Sequence, residues 1–392
     1  MSYSAQAVEQ WTPTIGMRKK ALAVLCAAVL IGILSAGLWP FHAPKNQVSW
    51  LSNGNGLHFG NHGVILDPDG FSLAGSKTGI SCSVEIWLQP DHSDIGGTIL
   101  AFYTPENRNS AFSVYQSIDD LFLLRMTVDR QRRAETKFYI EHVFRKNKQV
   151  FVTITSNSQG TAIYLNGALV RTSPQFGLTI KDLTGQLLVG NHPLGDDGWQ
   201  GQLKGLAIYN RELTAAEVLH DYNAWTTNQA EIKNEDPVAL YLFNEGMGSV
   251  VYNQMNSGAD LHIPEDYFVL HAPFLKLPWD EFNPSWGYCK DVLINICGFV
   301  PLGFFFCAYF SSVRRLDRAV LATIVLGGVV SCTIEVLQAF LPTRDSGMTD
   351  IITNTLGTSI GARLYGCESV QVLLARVGLA GRRQVASRDR WR

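Results

Sequence analysis

Charge is scarce in this sequence. Only 17% of its 392 residues are Asp, Glu, Lys or Arg, below the roughly 25% usual in soluble domains. The formal net charge is −2, so no basic excess exists to neutralise phosphates, and a nucleic-acid-binding role is excluded. Cysteine is sparse as well. Its seven copies form no CxxC and no Cys/His cluster, which excludes a disulfide-built fold and a zinc module. Disorder is excluded by 20 Phe, 13 Tyr and 9 Trp, more than enough to build cores. Apolar residues are what the chain has, at 46%, and they are unevenly spread over a length that suits two or three structural units.

Residues 21–39 (ALAVLCAAVLIGILSAGLW) carry no charge and are long enough to cross a hydrocarbon core of ~30 Å. Arg18, Lys19 and Lys20 precede the run and Trp39 closes it. A cleavable signal peptide cut near Leu34-Ser35-Ala36-Gly37 is the rival reading. The long stretch before the basic cluster and the later spans favour an uncleaved anchor. Three further apolar runs follow at 292–310, 319–341 and 351–366. The last is short and Thr-rich, and its Arg363 is placed to snorkel to the interface. Basic residues gather before the first run, at Arg314, Arg315 and Arg318, and in the tail from Arg376 to Arg392. Four spans place both termini on one side, and the positive-inside rule makes that side the cytoplasm. Residues 1–20 and the basic tail 367–392 are then cytoplasmic, and the stretch from about 42 to 288 lies outside.

That outer stretch reads differently. From 45 to 262 it breaks into short period-two segments with turn residues between them. Ser81 to Leu88 and Gln149 to Thr155 alternate as strands do. Ala162 to Val170 is a hairpin signal, with Asn166-Gly167 suited to the positive φ angles of a tight turn. Thr214-x-x-Glu217 forms a capping box ahead of one short helix. Val84, Ile86, Phe151 and Ile163 are expected on inner faces, and many short strands at this spacing predict a two-sheet antiparallel sandwich. The segments SVEIWLQP (83–90), IYLNGALV (163–170), LLVGN (187–191), GQLKGLAIYNRELTAAEV (201–218) and ALYLFNEGMGS (239–249) together resemble the laminin-G-like, concanavalin A-type jelly-roll. That resemblance implies a glycan- or ligand-binding module, because the fold hosts lectins, hydrolases and adhesion domains alike. No Glu-x-Asp-x-x-Glu strand is present, which argues against hydrolysis by a carboxylate pair. Trp87 and Tyr209 are expected to pack inside. Some relatives of the fold hold Ca2+ through loop oxygens, and Asp196 and Asp197 are the best-placed acids, with Asp67 and Asp69 second. Solvated turn carboxylates are the simpler account of all four. Cofactors are otherwise expected to be none.

Polar residues inside the later spans carry the most information, because a stranded polar group in a bilayer costs several kcal/mol by an order-of-magnitude estimate. Asp291 and Asn295, Glu335 and Gln338, and Asp350 and Asn354 are three pairs, each on one helix face. The topology puts all three within ~10 Å of the outer surface at 1.5 Å per residue, beneath Arg344 and Asp345. We expect them to converge, with Arg344 as counter-charge and Asp345 in solvent. The patterns Asp291-x-x-x-Asn295-x-x-x-Phe299-x-Pro301-Leu302-Gly303, Ser331-x-x-x-Glu335-x-x-Gln338-x-Phe340 and Arg344-x-x-x-x-x-Asp350-x-x-x-Asn354-x-x-Gly357 resemble the VanZ-like membrane family, with the sandwich inserted after span one. The founding members are associated with low-level teicoplanin resistance, and many relatives sit among cell-envelope or exopolysaccharide genes.

Residues 263–288 carry Phe268, Phe274, Trp279, Phe282, Trp286 and Tyr288 with Pro273, Pro278 and Pro284 between them and read as an aromatic belt at the outer interface. His271 is the titratable group there placed to join the outer site. Cys82 and Cys289 are the outer candidates for a disulfide. The expectation is a mixed fold: a helical membrane module of four spans plus an all-β sandwich outside. The role that follows is a bacterial cell-envelope membrane protein. Its jelly-roll binds glycan and its VanZ-like module handles or senses a lipid-linked saccharide, with membrane lipids and cell-wall or exopolysaccharide glycan as partners. Two alternatives remain open: an intramembrane enzyme on a lipid-phosphate or polysaccharide precursor, and a non-catalytic adhesion or scaffold protein.

Overall fold

The structure is a computed structural model, and it describes residues 15–70, 79–104, 109–129, 132–195, 197–227, 236–255, 259–312 and 315–376. The chain divides into two compact units, one of residues 43–272 and the other of residues 1–42 with 273–392.

The first unit is a two-sheet antiparallel sandwich. One sheet runs β1 (Val48–Trp50), β2 (Leu57–Phe59), β13 (Gly201–Tyr209), β4 (Cys82–Pro90), β9 (Val150–Asn157), β10 (Gly160–Leu165) and β11 (Ala168–Ser173), with β14 (Ala239–Tyr241) also paired to β13. The other runs β15 (Val250–Val251), β16 (Leu261–His262), β3 (Ile65–Leu66), β12 (Gln186–Val189), β5 (Gly97–Thr104), β6 (Asn109–Ser117), β7 (Asp120–Asp129) and β8 (Arg132–Ile140). Period-two alternation sends Val84, Ile86, Leu88, Val152, Ile154 and Ile163 into one core with Phe102, Phe112 and Leu123 of the opposite sheet and Trp199 of the connection between β12 and β13. The β10–β11 hairpin turns on Asn166 (φ 50°) and Gly167 (φ 80°), the left-handed pair that a two-residue primed turn requires.

Phe151 does not belong to this inner face. It sits between Val150 and Val152 in β9, so the alternation that buries them turns it to the outer side of the sheet. There it packs with Tyr164, Tyr209, Val218 and Trp225 beneath α2 (Ala215–Thr227). The capping box starts α2 as expected: Glu217 N–H donates to Thr214 Oγ1 at 3.3 Å, and Thr214 N–H donates to Glu217 Oε2 at 2.7 Å. Gly205 is needed under this helix, because a Cβ there would overlap the Trp225 ring.

The second unit is helical: α1 (Ile15–Leu38), α3 (Pro278–Glu281), α4 (Trp286–Ser311), α5 (Leu316–Gln338), α6 (Met348–Gly366) and α7 (Glu368–Arg376). Among the described residues, three helices are long and apolar enough to cross a membrane, namely Lys19–Leu38, Trp286–Ser311 and Leu316–Gln338. The fourth expected span, α6, falls short of that measure. Its Thr353, Asn354, Gly357, Thr358 and Gly361 are buried, so this helix is selected for close packing and hydrogen bonding instead of for lipid. Gly357 abuts the Ile296 backbone, Gly361 abuts Val300 O and Gly303 abuts Thr358 O, which sets α6 parallel to α4. Gly327 meets Thr358 and Gly37 meets Ile334, so α5 runs antiparallel to both, and α1 ends beside the end of α5.

Two sequence boundaries move. The stretch 263–288 is divided: Tyr267 is buried in the sandwich unit, its hydroxyl accepting from Asn191 Nδ2 at 2.7 Å, whereas Trp279, Phe282 and Trp286 are exposed on the helical unit. The division follows the chain, since residues up to 272 pack on strands and those from 273 pack on helices. The tail begins with α7, and residues 377–392 lie outside the described ones.

Candidate functional site

The polar residues of the helical unit meet around the first turn of α6. A helix start leaves backbone N–H groups without intrahelical acceptors, and two carboxylates supply them here. Glu335, in the last turn of α5 and only 1% exposed, accepts Gly347 N–H at 2.8 Å through Oε2. Glu281, at the end of α3, accepts Thr349 N–H at 3.0 Å. Its carboxylate lies where a side chain at 347 would begin, so a larger residue there would displace Glu281 from the helix start. The strand-like strap before α3 closes the same end: Lys276 N–H donates to Ser346 O and Met348 N–H to Lys276 O, both at 2.9 Å.

Asp350 is the centre of the layer. Its Oδ1 accepts from Asn295 Nδ2 at 2.8 Å. Asn354, one turn further along α6, donates to Ser331 Oγ at 3.0 Å, and Ser331 Oγ reaches back to Asp350 O at 3.5 Å. Asn354 is 5% exposed, and its Oδ1 has no hydrogen-bond partner among the described residues. Asp291, one turn before Asn295, is exposed and lies within electrostatic range of Asp350, as do Glu281 and Asp345.

The expected counter-charge is elsewhere. Arg344 donates through Nε to Trp39 O at 2.9 Å and through Nη2 to the same oxygen, because the turn after α5 sets it beside the end of α1. Gln338 is drawn the same way, its Nε2 donating to Gly37 O at 2.8 Å. Both residues tie α5 to α1. Asp345 is exposed, as expected, and pairs there with Lys276 at 3.1 Å. Among the described residues, none of Glu281, Asp291, Glu335 and Asp350 has a Lys or Arg nitrogen within 4.0 Å. Asp350, Asn295, Asn354 and Glu335 therefore form one layer with Asp291 at its rim, whereas Gln338 and Arg344 face α1. The layer carries net negative charge. It suits cationic groups and hydroxyl donors, and it repels a bare phosphate.

Glu281 escaped the sequence reading, and Ser331 entered it only through the VanZ-like pattern, not as a member of the polar layer. Glu281 sits among exposed aromatics that read as an interfacial belt, and its one signal was an acidic pair, Asp280-Glu281, in an otherwise apolar stretch.

In the sandwich, Asp196 lies outside the described residues. Asp197 belongs to the loop after β12, where its Oδ2 is 3.5 Å from Thr98 Oγ1 and its N–H donates to Asn191 Oδ1 at 3.3 Å. Asp67 is fully buried: Oδ1 accepts Asp69 and Gly70 N–H groups at 2.9 and 3.2 Å, and Oδ2 has no hydrogen-bond partner among the described residues. Burial pushes its carboxyl above the ordinary range. Among the described residues, the three metal-ligating side chains that approach within 4.8 Å of one another are Asp119, Asp120 and His142, at the β7 turn and after β8. His142 Nδ1 there is 2.7 Å from Asp119 Oδ2. His271 stacks on Tyr103 at 6.4 Å within the sandwich unit. Cys82 is a buried free thiol and Cys289 an exposed one.

Comparison with known proteins matches each unit. Residues 59–219 match the model of the concanavalin A-like lectin/glucanases superfamily, and residues 221–370 match that of VanZ/LLP1. The second match starts inside α2, so it includes the last strands of the sandwich. The protein VanZ of Enterococcus faecium is 29% identical over 80 residues, which is 20% of this chain and 47% of that protein. The chain thus spans about half the length of this curated relative. Among solved structures, the receptor-binding domain of botulinum neurotoxin C/D mosaic serotype aligns with a TM-score of 0.36 and 15% identity, covering 46% of this chain and 45% of that one. The ligand-binding domain of botulinum neurotoxin serotype D in complex with N-acetylneuraminic acid aligns at 0.31 and 16%, covering 46% and 45%. Alignments this loose add nothing to the sandwich described above. The chain carries a concanavalin A-like domain and a VanZ-like domain, and three of its described helices are long and apolar enough to span a membrane.

Proposed function

We propose that this is a cell-envelope membrane protein whose sandwich binds glycan outside the membrane. Its VanZ-like helices engage the polar head of a lipid-linked saccharide at the outer leaflet. In this reading both termini are cytoplasmic, as the Arg and Lys clusters favour. The two domain types support an envelope association and a carbohydrate-binding role. The observation that carries the membrane part is the acid–amide layer: Asp350 held by Asn295, with Asp291, Glu281 and Glu335 close by and no basic partner among the described residues. Buried acids without a cation are expensive unless a ligand or water meets them, and sugar hydroxyls or amino groups are donors that suit them. Phosphate would need its own cation.

The test is Asp350→Asn, which keeps an acceptor for Asn295 and removes the charge. In cells relying on the plasmid-borne protein, we expect normal membrane abundance but loss of the protein's effect on surface polysaccharide output or teicoplanin susceptibility. Variants Asp350→Asn and Glu335→Gln that match wild type in both assays would refute the site. A reporter fused at residue 392 that is active only outside would refute the topology.

A further inference from the structure

The two sheets of the sandwich each end in an edge strand, β8 in one and β11 in the other. A groove of about 390 Å³ lies between them, lined by Lys137, Phe138 and Tyr139 of β8 and by Arg171, Thr172 and Ser173 of β11. Its size falls within the ~300–1,000 Å³ of ordinary small-ligand sites. Arg171 spans the gap. Its Nη1 donates to Tyr139 O at 2.7 Å, and its guanidinium carbon lies 5.1 Å from the Tyr139 ring centre and 5.7 Å from that of Phe138. Tyr139 in turn stacks on Phe122 at 5.3 Å and 17°. One carbonyl and two rings thus fix the guanidinium before any ligand arrives.

A β-bulge places it there. Ile163 pairs with Arg171 but the next residue, Tyr164, pairs with Leu169, so Val170 is an extra residue in β11. Such an insertion shifts the alternation of the strand by one and re-aims the side chain that follows. The charge on Arg171 is also unspent. Lys137 is held by Glu135 at 2.9 Å, whereas Arg171 has no carboxylate within 4.0 Å among the described residues. Its Nε and Nη2 make no hydrogen bond to them either, and these two nitrogens form the fork that grips an oxyanion through parallel bonds.

We propose that this groove binds an acidic saccharide, with Arg171 holding a carboxylate or phosphate substituent and Thr172 and Ser173 lying along the sugar hydroxyls. The proposal rests on the reading of the sandwich as a glycan-binding domain and supplies its site and ligand class. Tyr139 acts as a positioning residue, because its carbonyl and ring hold the guanidinium.

The experiment uses the full chain in lipid nanodiscs of neutral headgroup, with binding to immobilised polygalacturonate, phosphorylated dextran and unmodified dextran followed by interferometry. Wild type should bind one or both anionic polymers, more weakly as salt rises, and ignore unmodified dextran. The stronger of the two anionic responses identifies the substituent. Arg171→Gln should weaken that binding by at least ~10-fold, the effect of one charge-assisted contact. Arg171→Lys, which keeps charge but loses the fork, should fall between, and both variants should melt as wild type does. Anionic binding that survives Arg171→Gln overturns this site and leaves the glycan reading standing. Unmodified dextran bound as well as the anionic polymers overturns the choice of an acidic ligand. Binding to none of the three overturns the proposal together with the glycan reading.

Discussion

A carboxyl buried under α2 should give the sandwich an inverted pH dependence. Glu85 projects from β4 to the outer face of its sheet and is completely buried there. Its Oε2 accepts from Trp225 Nε1 at 3.1 Å and from Tyr209 Oη at 3.2 Å, and Oε1 accepts from Thr153 Oγ1 at 3.3 Å. Burial first, and then the negative field of Asp221 on α2, pushes its pKa up to about 8, against the pull of those hydrogen bonds. A carboxyl raised in the folded state is protonated there and ionised in the unfolded chain. The stability it contributes is therefore full below the unfolded value near 4.5 and is lost as pH rises toward about 8. Within that window the slope is ~1.4 kcal/mol per pH unit, so two units of pH remove ~3 kcal/mol, a large part of a typical domain's stability. Glu85→Gln keeps an acceptor and a donor in the same volume and abolishes this titration. Urea unfolding of residues 43–272, followed by tryptophan fluorescence between about pH 5 and about pH 7.5, reads both slopes. Wild type should lose stability steadily with rising pH, and the variant should lose it far less. Equal slopes would refute the claim that Glu85 folds as the neutral acid.

Two further outcomes follow from the packing. Residues 43–272 should unfold cooperatively without the helices, and a fragment ending at 262 should be weaker by ~3–5 kcal/mol in chemical denaturation, since it lacks the buried Tyr267 that bonds Asn191 and Gly195; equal midpoints would contradict that. Gly361→Ala should lower the detergent melting temperature of the full chain, because its Cβ would overlap Val300 O of α4, an overpacking worth ~1–3 kcal/mol. The same change at Gly32, where a Cβ would meet nothing within 4 Å among the described residues, should leave the melt where it was.

Features decided by neighbours along the chain were legible in the sequence. The Asn166-Gly167 turn, the Thr214–Glu217 cap and the apolar runs that became α1, α4 and α5 depend on local dihedrals and on periods of two or 3.6 residues. The acid–amide pairs were legible for the same reason, since each pair occupies one face of one helix. Which groups would answer them was not. Asp350 meets Asn295 across 55 residues of sequence and Gln338 meets Gly37 across 301, and no local rule spans such distances. The turn after α5 brought Arg344 to the carbonyl that ends α1, and the layer kept its negative charge. A strap read as a membrane belt carried Glu281 to the start of α6, where free N–H groups attract a carboxylate. Phe151 changed faces because its neighbours claimed the core, and one extra residue in β11 reversed the strand's alternation and so set the face that Arg171 takes. Sequence determined which elements form and which side chains must be satisfied. The tertiary structure decided by whom, because hydrogen bonds and charges act over a few ångströms in space whatever the separation along the chain.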